Sequence, residues 1–439
     1  MQDRVARRIW TASGKLSAYI QIASLKRLFS QNWIAISTAT ACLALLVTMI
    51  ATSPSRLCYD EVVYQLEQVQ TVRKVGWRTT LTSPNEISVG PLYAAIQLSL
   101  SPLTGLQAPA IRWVNLVCFV AVLLIIARED QAPLFKAAVS ATTLLAVPFL
   151  WPAVGMALTE IPALLFFTIF IFFFLKLINS GVTLSVETFA WSIAAGLCLG
   201  VAILGRQTYL VAIPVVVAMV FWLPGKWPVV LICFVTALAV CGWLFLLWGG
   251  LAPPSWYYRN SPSPFSLTNS MLSLSYAAAA TLFLNPQWMK PRRLTAWIGC
   301  CIVGIAFACF GRDYANPPAR SLLIRALGDR TGLLIGFVIG CALAIFGAIW
   351  AWNTFATAWQ ARQNPRQVFL LLTLVALVLT PVKITHQFSS RYVVGLLGVL
   401  FLAVGAPREL RGAWAARMLA GSLVGAAILW TYFADTTLR

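Results

Sequence analysis

The strongest constraint on this chain is a succession of apolar stretches separated by charge, proline and glycine. An α-helix needs about 20 apolar residues to cross a hydrocarbon core about 30 Å thick, and in lipid a spanning segment must satisfy its own backbone hydrogen bonds. Runs near that length fall at 33–52, 109–127, 137–155, 161–178, 189–205, 207–223, 228–248, 268–285, 295–310, 331–352, 368–385, 392–406 and 418–434. They predict an all-α, polytopic membrane protein with about 13 transmembrane helices. Composition agrees: 60% of the 439 residues are hydrophobic and 10% charged, against roughly a quarter charged in soluble proteins.

Thirty-two basic residues against 13 acidic ones give a net charge of +19. The excess is scattered through the gaps between apolar runs, where topology-setting charge and anionic headgroups account for it. No folded basic domain is present to bind nucleic acid. Of ten cysteines, Cys58 alone lies in a polar loop, there is no CxxC pair, and His386 is the single histidine. The sequence therefore supports neither a disulfide framework nor a Cys/His zinc site. No internal repeat or low-complexity tract appears.

Arg4, Arg7, Arg8, Lys15, Lys26 and Arg27 precede the first apolar run, which is longer than a signal-peptide core and reads as an uncleaved span. This gives a cytoplasmic basic arm, 1–32, and a single transmembrane domain, 33–439, with a long first outer loop at 53–108. With the N-terminus inside, 18 basic residues fall on the inner side and 14 outside or at the outer edge, a weak bias. Within the loop, Val62, Leu66, Val69 and Val72 form one helical stripe, so this segment is expected to lie along the membrane surface. The segment from Val89 to Gly105 is too short to span and is expected to enter the interface or re-enter, covered by protein.

With no soluble module, chemistry has to be built from helix ends and short loops. Asp60, Glu61, Glu67, Glu86 and Glu160 share the expected outer face with Arg56, Arg73, Lys74, Arg78, Arg206, Arg259, Lys383, His386 and Arg391. Cations that neutralise a phosphate beside a carboxylate that takes a proton suit transfer from an anionic substrate. Asp60 and Glu61 are adjacent and point about 100° apart on a helix, so one does chemistry and the other a supporting task. Acids favouring a helix N-terminus are the simpler alternative.

Arg206, in GRQTYL, is a charge at the membrane edge and hence a site candidate, or a snorkelling side chain. Glu160, in ALTEIP, reads equally as a helix-start acid or a site acid. Lys383, His386 and Arg391 crowd together after an apolar run, as a phosphate site or as a loop. Trp256, Tyr257, Tyr258 and Arg259 form an interfacial aromatic belt or the rim of a sugar site.

The order of these pieces resembles the GT-C superfamily of polytopic glycosyltransferases, which includes protein O-mannosyltransferases and lipid A aminoarabinose transferases. The resemblance lies in the acidic pair of YDEVVY (Tyr59 to Tyr64), GPLYAAI (Gly90 to Ile96), Arg112 in APAIRWVNL, Glu160 in LTEIPALL, Arg206 in GRQTYL, and Arg391 with Tyr392 in SSRYVVGLL. It covers residues 30 to about 215 well and the rest only as architecture.

The resemblance implies a sugar donor on a polyprenyl phosphate, a glycan, lipid or protein acceptor, surrounding membrane lipids, and no nucleic acid. It further implies inverting transfer with Asp60 as base. Glu61 and Glu160 would orient the acceptor or a nearby cation, and Arg206, Lys383, His386 and Arg391 would hold the donor phosphate. Tyr59, Tyr64, Arg78, Tyr93, Trp256, Tyr257 and Arg259 would form the rim. The resemblance fixes no cofactor and allows a divalent cation. Where several members carry Pro-Pro or a lysine before the Pro-Leu segment, this chain has Val89 and Gly90, which leaves that donor contact to Arg73, Lys74 or Arg78. Compact, bacterial-like loops and the lack of a retention signal point to a bacterial inner membrane with the site facing the periplasm, and an endoplasmic reticulum protein would have the same topology. The competing class is a transporter or flippase of lipid-linked sugars, which also buries charge, although matched halves with broken helices are not evident here.

Overall fold

Where an apolar run is uninterrupted it forms one helix. The structure, a computed structural model, describes residues 33–82, 90–129, 132–181, 185–251, 266–290, 294–310, 328–383, 388–405, 410 and 412–434. In chain order the helices are α1 Trp33–Ala51, α2 Glu67–Thr82, α3 Leu92–Thr104, α4 Ala110–Glu129, α5 Leu134–Ala141, α6 Leu150–Gly155, α7 Glu160–Asn179, α8 Val186–Gly205 and α9 Ala212–Ala218. There follow α10 Trp227–Trp248, α11 Leu267–Leu284, α12 Leu294–Phe310, α13 Asp329–Gln360, α14 Pro365–Leu379, α15 Arg391–Val394, α16 Leu397–Val404 and α17 Gly412–Ala434. No strand occurs among the described residues. The protein is an all-α, multi-pass membrane protein.

Among the described residues nine helices are long and apolar enough to cross a membrane: α1, α4, α7, α8, α10, α11, α13, α14 with its 3-10 continuation to Val382, and α17. The other four expected spans are shorter or broken. Residues 137–155 divide into α5, a 3-10 stretch Thr142–Ala146 and α6, with Val147 extended just before Pro148, whose ring disfavours helix in the residue preceding it. Residues 207–223 form α9 between 3-10 turns Gln207–Val211 and Met219–Phe221. Residues 392–406 divide between α15 and α16. α12 has 17 residues.

The first outer loop carries short helices, as its pattern predicts. After the turn Tyr59–Glu61 the chain widens into a π-helix, Val62–Leu66, and continues as α2, which kinks at Gly76 with φ +81. Leu66, Val69 and Val72 are buried, so the apolar stripe faces protein. α3 is too short to span and packs against α8 through Gly90, where a Cβ would lie 2.0 Å from the Leu204 carbonyl oxygen.

Side-chain contacts fix which helix ends share a face. Lys226 donates to the carbonyls of Leu177, at 2.9 Å, and Ile178, at 3.2 Å. Arg366 pairs with Glu129 at 3.6 Å, and the Trp222 indole donates to the Arg362 carbonyl at 2.9 Å. These mark one face of the helix bundle. The opposite face collects the C-terminal ends of α1, α8 and α17 and the N-terminal ends of α4 and α7, and all the ion pairs described next lie there.

Candidate active site

The acidic pair after α1 divides its labour. Glu61 is completely buried and accepts from Arg112 at both oxygens, Nε to Oε1 at 2.8 Å and Nη2 to Oε2 at 2.7 Å. It also caps its own turn, taking the Cys58 amide at 2.8 Å, and takes the Ala157 amide at 2.8 Å. Arg112, likewise without exposure, donates to Ser53 Oγ, to the Pro54 carbonyl and to the Arg56 carbonyl at 2.7, 2.9 and 3.0 Å. Its guanidinium stacks over Phe433 at 4.7 Å. A buried charge is tolerated only when paired and hydrogen-bonded, and this pair ties α4, α17 and the loop before α7 to the first outer loop. Beside it, burial followed by the charge of Glu61 pushes the Cys58 thiol up to about 12, which keeps it protonated.

Asp60 points away from that pair. Its Oδ2 takes Arg391 Nη1 at 3.0 Å, with 18% of the Asp60 side chain and 21% of the Arg391 side chain exposed. Arg391 also donates to Ser389 Oγ from Nε at 3.3 Å. A second pair lies alongside, Arg206 Nη2 to Glu160 Oε1 at 2.6 Å, with the Arg206 guanidinium 5.9 Å from the centre of the Tyr392 ring. Glu160 opens α7 and is almost wholly buried, and among the described residues its Oε2 has no hydrogen-bond partner. Glu160, Arg206, Thr208, Tyr209, Arg391, Tyr392 and Gly395 enclose a cavity of about 10 Å³, room for a single water. Tyr209 holds one wall, donating from its hydroxyl to the Gly395 carbonyl at 3.0 Å and stacking on Phe167 at 4.2 Å.

The two pairs form one electrostatic unit. Burial raises the pKa of Asp60 above the usual carboxylate value, Arg391 opposes the rise, and Glu160 and Glu61 add to it. Glu160 and Asp60 both act on Arg391. The cluster therefore holds a partly exposed carboxylate with a raised pKa paired with Arg391, beside the Arg206–Glu160 pair, and guanidinium groups of this kind are suited to a phosphate.

The remaining candidates divide. Tyr59 is half exposed and Arg78 is exposed on the outer part of α2, compatible with a rim. Tyr93 is buried and accepts from Gln97 Nε2 at 2.8 Å, so it stands behind the cluster and not on its rim. Lys383 ends the 3-10 turn Thr380–Lys383 that leads towards Arg391. The side chains of Tyr64 and Lys383 lie outside the described residues, as do Glu86, Trp256, Tyr257, Tyr258, Arg259 and His386. Among the described residues no three His, Cys, Asp or Glu side chains gather as metal ligands.

Sequence reasoning passed over Tyr209, although it stands in the same GRQTYL motif as Arg206. It also passed over Tyr432, which the last turn of α17 brings close enough to feel the charges of Arg391 and Asp60. Nothing local in the sequence around residue 432 signals that contact.

No family model matches the chain, and no curated protein matches it significantly in sequence. Comparison with solved structures finds ArnT from Cupriavidus metallidurans bound to undecaprenyl phosphate, over 91% of this chain and 77% of that one, at 16% identity and a TM-score of 0.47. Its apo state matches over 92% and 78%, at 15% identity and a TM-score of 0.45. The oligosaccharyltransferase of Archaeoglobus fulgidus, tethered with an acceptor peptide, matches over 87% of this chain and 56% of that one, at 13% identity and a TM-score of 0.37.

Proposed function

We propose that this protein is a membrane glycosyltransferase that moves a sugar from a polyprenyl-phosphate donor to an acceptor hydroxyl, on a glycan, lipid or protein, with inversion. The observation that carries this reading is the meeting of Asp60, Glu160, Arg206 and Arg391, drawn from four distant parts of the sequence, at one membrane face. The ordered motifs shared with the GT-C superfamily support the same class. In a bacterial cell the site faces the periplasm, as the basic N-terminal arm suggests.

In the resting arrangement each arginine is occupied by a carboxylate. The donor phosphate competes for Arg391 and Arg206, and as it takes Arg391 it releases Asp60 Oδ2. Asp60 then removes the proton of the acceptor hydroxyl while the acceptor oxygen bonds to the anomeric carbon. The bond from that carbon to the phosphate oxygen breaks, and the departing lipid phosphate keeps the electron pair, its charge held by the two guanidiniums. The open oxygen of Glu160, buried in the same cluster, orients a hydroxyl of the sugar or acceptor.

The test supplies purified protein with radiolabelled polyprenyl-phosphate sugars and a membrane extract, comparing the native chain with Asp60→Asn. General-base catalysis contributes about 10²–10⁴-fold, so transfer should fall by that factor while the isosteric variant elutes as a folded monodisperse species. Undiminished transfer by Asp60→Asn removes Asp60 as base. Transfer absent with every extract shifts the assignment to transport.

A further inference from the structure

Away from the acid and arginine cluster, two large apolar cavities flank α13. One, of about 630 Å³, includes Trp222, Trp350, Trp359, Arg362, Val368 and Leu379 in its lining. The other, of about 910 Å³, includes Met271, Thr295, Gly299, Val303, Trp352 and Gln360. Leu274, Ala351 and Phe355 line both, so Phe355, which is 62% exposed, stands on the border between the two troughs. Val368 and Leu379 are 11 residues apart on α14, or about 16 Å at 1.5 Å per residue. That is the depth of about one leaflet of the hydrocarbon core.

One end of the first trough is polar and cationic. Arg362 is exposed, its guanidinium lies 5.1 Å over the Trp359 ring, its Nη1 donates to the Trp359 carbonyl at 3.1 Å, and its own carbonyl holds the Trp222 indole. Among the described residues it forms no ion pair, and the nearby Glu129 is committed to Arg366. Tryptophans at headgroup depth and a basic residue at the mouth of an interhelical pocket are the features that recognise an anionic lipid headgroup. This end lies on the face opposite Asp60, so the phosphate of the proposed sugar donor does not reach it.

We propose that the twin troughs bind one anionic diacyl phospholipid from the leaflet opposite the catalytic cluster, one acyl chain on each side of Phe355 and the headgroup phosphate on Arg362. Arg362 lines the first trough and Gln360, two residues before it, lines the second, so both reach the same end of α13; this suits two chains joined at one phosphate, whereas a polyprenyl phosphate has a single chain. Native mass spectrometry tests this on full-length protein equilibrated in detergent with equal phosphatidylglycerol and phosphatidylcholine. One phosphatidylglycerol should be retained in preference, and Arg362→Gln should reduce that preference about fivefold, the effect of one cation near an anionic lipid. Ala358→Trp, which fills the first trough, should lower retention of both lipids while the protein elutes unchanged. Equal retention of the two lipids by the native chain, an undiminished preference in Arg362→Gln, or displacement of the bound lipid by added polyprenyl phosphate would each overturn the proposal.

Discussion

Arg112→Met separates a structural from a chemical role for Glu61. Methionine keeps the length and apolar bulk of the arginine stem, so the cost of a cavity stays small. What is lost is the set of hydrogen bonds from Arg112 to Glu61, Ser53, Pro54 and Arg56. The Glu61 carboxylate would remain buried with only the Cys58 and Ala157 amides as partners. Removing one member of a buried pair costs about 3–5 kcal/mol. Because neither side chain has any exposure, the discount for solvent screening of surface pairs does not apply. Reversible unfolding in mixed micelles, followed by tryptophan fluorescence, should show that loss. Glu61→Gln, which turns an amide NH2 towards the guanidinium, should be destabilised as well, and the double variant should fall short of the sum by roughly 1–3 kcal/mol. Folded Glu61→Gln should keep transfer within about tenfold of the native rate, well above the loss expected for a missing base. A cost under about 1 kcal/mol for Arg112→Met, or loss of transfer in folded Glu61→Gln equal to that of Asp60→Asn, would refute the assignment.

Asp60 takes up its proton at a higher pH than an ordinary aspartate, so transfer should decline on the acid side with its break above about 3.9. Arg391→Gln removes the opposing cation and should move the break further up, and Glu160→Gln should move it down; a pH–rate profile unmoved by either would uncouple Asp60 from the cluster. Since the folded pKa is the raised one, this carboxyl binds its proton more tightly in the folded chain, and its contribution to stability increases as pH falls through the break. Gly90→Ala places a Cβ 2.0 Å from the Leu204 carbonyl oxygen, and because the obstacle is backbone it should cost about 1–3 kcal/mol as α3 shifts from α8; an unchanged unfolding midpoint would mean that α3 does not approach α8 so closely.

Apolar length was readable where nothing interrupts it, as in α7 and α10. At 137–155 and 207–223 the apolar length does not become a single long helix, because hydropathy counts side chains and not backbone hydrogen bonds. Val147 before Pro148 leaves the helical region, and the 3-10 turns around α9 leave a segment no longer than Gln207–Phe221. The charges at 160 and 206 were legible for a related reason: an ion at the membrane edge with no soluble loop around it needs a partner, and each proves to be the other's. The division between Asp60 and Glu61 was legible only as a necessity of helical geometry. Which of them turned inward depended on Arg112, 51 positions away from Glu61, and no local pattern encodes that pairing.

That remote pairing also aims the site. Adjacent residues on a helix project about 100° apart, so once Glu61 is fixed on Arg112, the Cys58 amide and the Ala157 amide, the direction of Asp60 has little freedom left. Glu61 fixes on the backbone at Ala157, three residues before Glu160 begins α7, so the same carboxylate also sets the distance between the first outer loop and the second acid. The π-helical turn Val62–Leu66 then redirects the chain into α2 without disturbing the anchored end. A buried ion pair that contributes little net stability over an apolar substitute is here well placed to provide register. It fixes the helical turn that carries Asp60, while the Asp60 side chain itself stays partly exposed, as the proposed reaction with an acceptor requires.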